Sequence, residues 1–287
     1  MSTDSSKTDK AAAAAPTAAS QKPAALVAGQ TTQTAQAASQ PGAITWGPLA
    51  SILVVVVSYL AAQLVGGLAI ALWPHLQGWS TARADAWVNN SVGAQFFYVL
   101  IAEGLTVGVL YWFVHRKHAS FRSVGLTRPR IEDLAYTSMG IAAYLVLYVV
   151  AVSAVSAVFN LNTTQQQDVG FQTASGAFAL TLTFLSLVIL PPLVEEIMFR
   201  GVLFSGLKRS RLGVVGAALL TSLLFAAPHL LESSGSGLLW IAGIDTFVLS
   251  LVLCYLRQKT GRLWAGIGVH ALKNCIAFVS VFVMHLH

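Results

Sequence analysis

Apolar residues lie in long, unbroken runs along most of the chain. These runs are about 20 residues or more, the length that an α-helix needs to cross the hydrocarbon core of a bilayer. An outer-membrane barrel would instead show short segments of alternating hydrophobicity. The pattern therefore predicts an all-α polytopic membrane protein, a bundle of about seven transmembrane helices. Their approximate bounds are 46–73, 92–114, 134–159, 176–207, 212–231, 238–256 and 263–284.

Two of the predicted spans have special features. The first has Trp46 and Trp73 near its two ends, as expected of aromatic residues placed at the membrane interfaces. The fourth, at 176–207, is long enough to be two segments that meet at Pro191–Pro192.

Composition supports the same class. Of the 287 residues, 55% are hydrophobic and 10% charged, and the mean hydropathy is +0.68. A soluble domain has about 25% charged residues. Cys254 and Cys275 both lie within apolar runs, so they are expected to be buried thiols rather than a disulfide framework.

The first 45 residues are different in kind, being rich in Ala, Gln, Ser, Thr and Pro without a large apolar periodicity. This composition predicts a disordered tail. It does not resemble a signal peptide, because no Leu-rich segment follows Lys7 and Lys10. The expected organisation is a tail at 1–45 and a transmembrane helical domain at 46–287.

The net charge of +6 is concentrated in short loops between the runs. Lys and Arg cluster at 115–122, 128–130, 208–211 and 257–262, whereas 160–170 and 232–237 contain none. This is the positive-inside pattern of membrane proteins and not a nucleic-acid patch. It predicts that the basic loops and the N-terminal tail are cytoplasmic and that the C-terminus is external.

Three charged residues interrupt the fourth apolar run. A charge at the centre of a bilayer costs on the order of 2.5–3.5 kcal/mol, so each needs a partner or a wet cavity. Glu196 and Arg200 are four residues apart and are predicted to form an ion pair on one helix face. Glu195 is rotated about 100° away from Glu196 and is left over. An unpaired carboxylate in a membrane is a candidate functional residue.

Two later spans contain histidines that can act with Glu195. One has His229 four residues after Phe225, and the other has His270 four residues before Asn274. A carboxylate base, two imidazoles and an amide suffice for water activation and oxyanion stabilisation. The alternative is that these His and Asn side chains only join helices. Along straight helices, Glu195, His229 and His270 would lie roughly 20, 27 and 12 Å deep, so tilted or broken helices are needed to bring them together.

Three further ionisable residues lie within predicted spans. Glu103 and Asp245 are expected to make interhelical hydrogen bonds or to line the same cavity, with Asp245 nearer the site. Lys273 is expected to point elsewhere, and no role is assigned to it.

The ordered motifs resemble a known family. The chain contains EEIMFR at 195–200, FAAPH at 225–229 and HALKN at 270–274. In this order, on successive membrane helices, they are similar to the three motifs of the CAAX protease and bacteriocin-processing (CPBP or Abi) family of intramembrane peptidases. The resemblance covers about 120–280.

The resemblance implies an all-helical membrane endopeptidase that cleaves near or within the bilayer. It assigns Glu195 as the base that activates water, assisted by His229, and His270 and Asn274 as the groups that hold the oxyanion. Glu196, Arg200 and Phe225 would support this site. No cofactor is expected; if a metal such as zinc takes part, its ligands would be Glu195, His229 and His270.

The expected protein is a multi-pass component of a prokaryotic plasma membrane, and its partners are the lipid bilayer and a membrane-associated peptide or protein substrate. Prenylated CAAX peptides, peptide precursors and transmembrane segments all stay open as substrates. One alternative is a non-proteolytic scaffold or immunity-type protein that keeps the fold and binds a partner in the cavity. A transporter with a proton relay is another, although no inverted repeat is evident.

Overall fold

The computed structural model of the protein describes residues 44–159, 161, 167, 169–231 and 238–285. The predicted tail lies outside these residues except for its last two positions, and so does most of the two loops that lack Lys and Arg.

The described residues form eight helices, numbered here in chain order, and no strand. They are α1 (Pro48–Leu76), α2 (Thr81–Asn90), α3 (Val92–Arg116), α4 (Ile131–Phe159), α5 (Gly176–Leu207), α6 (Gly213–Leu231), α7 (Trp240–Thr260) and α8 (Trp264–Val283). All except α2 are long and apolar enough to cross a membrane, which confirms the all-α class and the seven predicted spans. The short helix α2 was not predicted; Ser80 caps its N-terminus by accepting from the Arg83 amide.

Helix α5 is one continuous run rather than two segments, but it is irregular. Its α-helical turns are interrupted by π-helical stretches at Leu185–Ile189 and Glu196–Leu203. The first stretch immediately precedes Pro191 and Pro192, which cannot donate backbone hydrogen bonds within a helix. Widening the helix before the prolines keeps it continuous. Such π-helical stretches occur frequently at functional sites.

The second π-helical stretch forms the centre of the bundle. Every residue of Glu196–Leu203 is buried, and the stretch packs against α1, α6 and α7. Trp46, only 2% exposed, donates its indole N–H to the Val202 carbonyl at 3.2 Å. Trp46 therefore packs into the protein core, where its N–H finds a partner, and its level relative to the membrane interface stays a prediction. Trp73, at the other end of α1, is 51% exposed.

Small residues allow α1 to approach α5 closely. A Cβ atom on Gly206 would lie 2.5 Å from the Ser51 hydroxyl oxygen, so only glycine fits between the two helices at this point. Small residues at helix interfaces are typical of membrane bundles, where lipid supplies no hydrophobic drive for association. The contact holds in place the end of α5 that follows the charged motif.

The basic loops meet at one end of the bundle. The Leu263 amide donates to the Gly125 carbonyl at 3.0 Å, and Lys208 contacts the Gln258 side-chain oxygen at 3.3 Å. Thr45, just before α1, donates to the Lys117 carbonyl at this same end. All the basic loops and the start of α1 therefore share one side, as the positive-inside pattern requires. That this side is cytoplasmic stays a prediction.

Candidate active site

One cavity of about 290 Å³ brings together the residues that the sequence singled out. Its wall comes from α5, α6, α7, α8 and the segment before α5, and it is mainly apolar. The polar residues on the wall are Gln167, Glu195, His229, Thr246, His270, Lys273 and Asn274. All four predicted catalytic residues thus line a single space. Along straight helices these residues would lie at different depths, but the bundle brings them to one cavity, and α5 has π-helical stretches on both sides of Glu195.

The two adjacent glutamates have different environments. Glu196 is 1% exposed, and its Oε1 accepts a hydrogen bond from Arg200 Nη1 at 2.8 Å, as their spacing predicted. Glu195 is 22% exposed and faces the cavity. Its Oε2 accepts no hydrogen bond from the described residues. One carboxylate is therefore used to neutralise a buried cation, and the other is directed at the space where a substrate would enter.

Phe225 joins this ion pair to the histidines. The Arg200 guanidinium lies over the Phe225 ring, with 4.5 Å from Cζ to the ring centroid. The same ring meets His229 and His270 edge-on, with a centroid distance of 5.7 Å to each. Phe225 thus packs against both imidazoles and against the motif on α5, which is the supporting position expected of it.

His270 lies between the two glutamates. Its Nε2 is 3.6 Å from Glu195 Oε2, and its Nδ1 is 3.6 Å from Glu196 Oε1. Both distances are too long for hydrogen bonds, and they are ion-pair contacts only when the imidazole is protonated. Gly266, one turn earlier on α8, permits this approach, since a Cβ there would lie 2.8 Å from Glu196 Oε2. Gly266 was not predicted as a site residue, although its position four residues before His270 was a usable signal.

His229 faces the cavity from α6, directly after Pro228. Its Nδ1 lies 3.2 Å from the Gln167 side-chain nitrogen, and the imidazole interacts electrostatically with the Glu195 carboxylate. Gln167 was not predicted as a site residue, because it lies in a polar loop with no helical periodicity. Glu103 of α3 also interacts electrostatically with Glu195 but is not on the cavity wall.

Asn274 makes a contact that its spacing from His270 did not predict. Its side-chain N–H donates to the Leu187 carbonyl at 2.8 Å. In an α-helix the donor to Leu187 would be residue 191, and in a π-helix it would be residue 192. Both are prolines, which lack an N–H. Asn274 therefore satisfies the carbonyl that Pro191 and Pro192 leave without a donor, and it joins α8 to α5.

The expectation that Lys273 points away from the site is wrong. Lys273 lines the cavity because it is three residues from His270 and shares its helix face. Its ammonium lies 2.9 Å from Asp245 Oδ2, and Tyr144 donates its hydroxyl to Asp245 Oδ1. Asp245 thus makes the interhelical contacts expected of it, linking α4, α7 and α8 beside the cavity.

The described residues do not form a ready metal site. They contain no group of three or more His, Cys, Asp or Glu side chains arranged to hold an ion. Glu195, His229 and His270 share one cavity wall, with 3.6 Å between Glu195 Oε2 and His270 Nε2, but the three side chains do not converge on one point there. We therefore derive no catalytic step through a metal.

Comparison with known proteins agrees with the motifs. Residues 175–276 match the family model for Rce1-like type II CAAX prenyl endopeptidases, a little over a third of the chain. This range contains all three motifs, from Glu195 to Asn274. No curated protein and no solved structure matches the chain. With seven apolar helices, the match fits an integral multi-pass membrane protein. The matched region and its ordered motifs support the assignment of this chain to the CPBP family of CAAX-type intramembrane proteases.

Proposed function

We propose that the protein is an intramembrane endopeptidase in which Glu195 activates water to hydrolyse a peptide bond of a membrane-associated peptide or protein. The observation that supports this proposal is the difference in environment between the two adjacent glutamates. Arg200 neutralises Glu196, while Glu195 faces the cavity next to two imidazoles. A carboxylate held in a mainly apolar cavity, with no lysine or arginine within 4 Å of it among the described residues, is suited to accept a proton.

In the proposed reaction, Glu195 accepts one proton from a water molecule, and the water oxygen attacks the carbonyl carbon of the scissile bond. The carbonyl oxygen becomes an oxyanion. His270, through Nε2 when that nitrogen carries a proton, and Asn274, through its second amide N–H, donate hydrogen bonds to it. His229 orients the water and then passes the proton held by Glu195 to the leaving nitrogen, which restores the Glu195 carboxylate. The C–N bond breaks, which releases a new carboxylate and a new amine.

Water is the proposed nucleophile because the described residues of the cavity wall supply no serine or cysteine. Thr246 is the one hydroxyl side chain among them, and it donates to the Ala242 carbonyl of its own helix at 2.7 Å. Cys254 is buried in the core, away from the cavity wall. A Ser–His or Cys–His pair therefore has no support in the described site.

The substrate is proposed to be a peptide segment held in the membrane, because most of the cavity wall is apolar and the surrounding helices are long and apolar enough to cross a membrane. A C-terminal CAAX peptide is one candidate, and peptide precursors and transmembrane segments are others. We place the protein in a prokaryotic plasma membrane with its basic loops in the cytoplasm.

The test is incubation of purified full-length protein with candidate peptides from the same membrane, followed by mass spectrometry of the products. Wild type should produce one new pair of termini, and the Glu195→Gln variant should produce none. A scaffold or immunity-type protein would bind the same peptides in both forms without cleaving them. Equal product from wild type and a folded Glu195→Gln protein would contradict the proposal.

A further inference from the structure

The active-site cavity contains a cation that the proposed mechanism does not use. Lys273 lies between His270 and Asn274 on α8, and its side chain is 22% exposed towards the cavity. A lysine inside a membrane span is costly and usually functional. If this position served only to join helices, an amide or hydroxyl side chain would make the same interhelical hydrogen bond without a charge.

The surroundings of Lys273 keep its ammonium in place and leave donors unused. Asp245 Oδ2 forms an ion pair with the ammonium at 2.9 Å, and Oδ1 accepts a hydrogen bond from the Tyr144 hydroxyl. Both oxygen atoms of Asp245 therefore have a partner. An ammonium has three N–H donors. Asp245 uses one, which leaves two for a ligand in the cavity. The bracing from Asp245 and Tyr144 means that little ordering of the lysine is needed when a ligand binds.

We propose that Lys273 binds a carboxylate of the substrate, so that the cavity selects peptides with a negative charge close to the scissile bond. This inference rests on the proposed function, because it names the substrate class of the same cavity. The carboxylate is either the C-terminus of the peptide or an Asp or Glu side chain. Arg200 is fully buried against Glu196 and does not line the cavity. Among the described residues of the cavity wall, Lys273 is therefore the only lysine or arginine.

The spacing on α8 sets the distance of this carboxylate from the reaction. Residues three or four apart on a helix have Cβ atoms about 5–6 Å apart, so Lys273 lies within one turn of His270. An extended peptide covers about 3.3–3.6 Å per residue. The recognised carboxylate therefore belongs about one to three residues from the scissile carbonyl.

The experiment measures binding by the full-length Glu195→Gln protein, so that its result does not depend on cleavage. Three fluorescent probes are used: a short apolar peptide with a free C-terminal carboxylate, the same peptide as an amide, and the amide with one Asp near its end. We expect the acid to bind about 10- to 100-fold more tightly than the amide, the range for one charge-assisted hydrogen bond. If the Asp-containing amide binds as tightly as the acid, an Asp side chain is sufficient to supply the carboxylate that Lys273 recognises.

The variants separate recognition from folding. Lys273→Met should bring the acid to the level of the amide, and Lys273→Arg should preserve the difference. The double variant Lys273→Met with Asp245→Asn removes both charges, so it leaves no lone buried carboxylate, and it should behave like Lys273→Met. Equal binding of acid and amide to the lysine-containing protein would overturn the inference. So would an equal loss of both peptides on substitution, or no binding of any probe. Turnover by wild type relative to Glu195→Gln tests the proposed function separately.

Discussion

The sharpest stability prediction concerns Glu196→Gln. Arg200 is fully buried, and Glu196 is its one carboxylate partner within 4 Å among the described residues, with 2.8 Å from Nη1 to Oε1. The Nε and Nη2 atoms of Arg200 make no hydrogen bond there. Replacing the carboxylate by an amide keeps the size of the side chain but leaves the guanidinium charge without a counter-ion.

The expected loss follows from the burial of this pair. Removing one member of a buried ion pair costs about 3–5 kcal/mol. The Phe225 ring lies under the guanidinium in both proteins, so this contact does not reduce the loss of stability. Because the Gln oxygen still accepts a hydrogen bond, we expect a loss near the lower end, about 3 kcal/mol. For a chain of this size each kcal/mol shifts Tm by about 2–4 °C, so Tm should fall by about 6–12 °C.

The assay is thermal unfolding in detergent, followed by reaction of Cys254 with a thiol dye, since this side chain is 1% exposed in the folded protein. All proteins carry Cys275→Ala, so that one thiol reports. The adjacent Glu195→Gln is the matched control and should stay within about 2–4 °C of wild type. The double variant Glu196→Gln with Arg200→Met should recover much of the loss. A Glu196→Gln protein that melts together with Glu195→Gln would refute the reasoning.

Three further predictions follow from the site and the topology. Asn274→Ala should lower kcat about 10²- to 10³-fold with little change in KM, because an oxyanion donor is lost. It should also lower Tm, because the Leu187 carbonyl loses its donor. A lower Tm with unchanged kcat would mean that Asn274 only joins the helices. EDTA or phenanthroline should leave peptide hydrolysis largely intact, whereas reversible loss restored by zinc would make Glu195, His229 and His270 metal ligands. Single cysteines placed in the loops at 115–130, 208–211 and 257–262 should react with a reagent added on the cytoplasmic side. A reporter fused to the C-terminus should be detected on the outside. A cytoplasmic C-terminus would mean that a span is miscounted.

The sequence predicted the spans well, because bilayer thickness imposes a length on each apolar run. The seven helices begin and end close to the predicted positions, and the Glu196–Arg200 pair follows from a spacing of four. The short polar helix α2 was invisible to the same reasoning, since its ten residues carry no membrane signal. The burial of Trp46 was not predicted, because its hydrogen bond to Val202 depends on a helix distant in sequence.

The residues of the site were predicted from the sequence, but the contacts that they make between helices were not. Spacing within one helix placed His270 and Asn274 on one face, yet the contacts of that face come from other helices. That Asn274 would reach the Leu187 carbonyl depends on the two prolines of α5, a signal present in the sequence but meaningful only once the helices are paired. Lys273 was dismissed for want of a family role, although its spacing of three from His270 indicated the cavity.

The central claim is that Glu195 is the base in peptide hydrolysis, and its most direct test is kcat of Glu195→Gln relative to wild type with one identified peptide. The two proteins must first be shown to have the same Tm, so that folding does not enter the comparison. A positioned general base contributes about 10²–10⁴ in rate. We expect kcat to fall by at least about 10²-fold while the variant still binds the peptide. A folded Glu195→Gln protein that hydrolyses the peptide at the wild-type rate would contradict the role of Glu195 as the base.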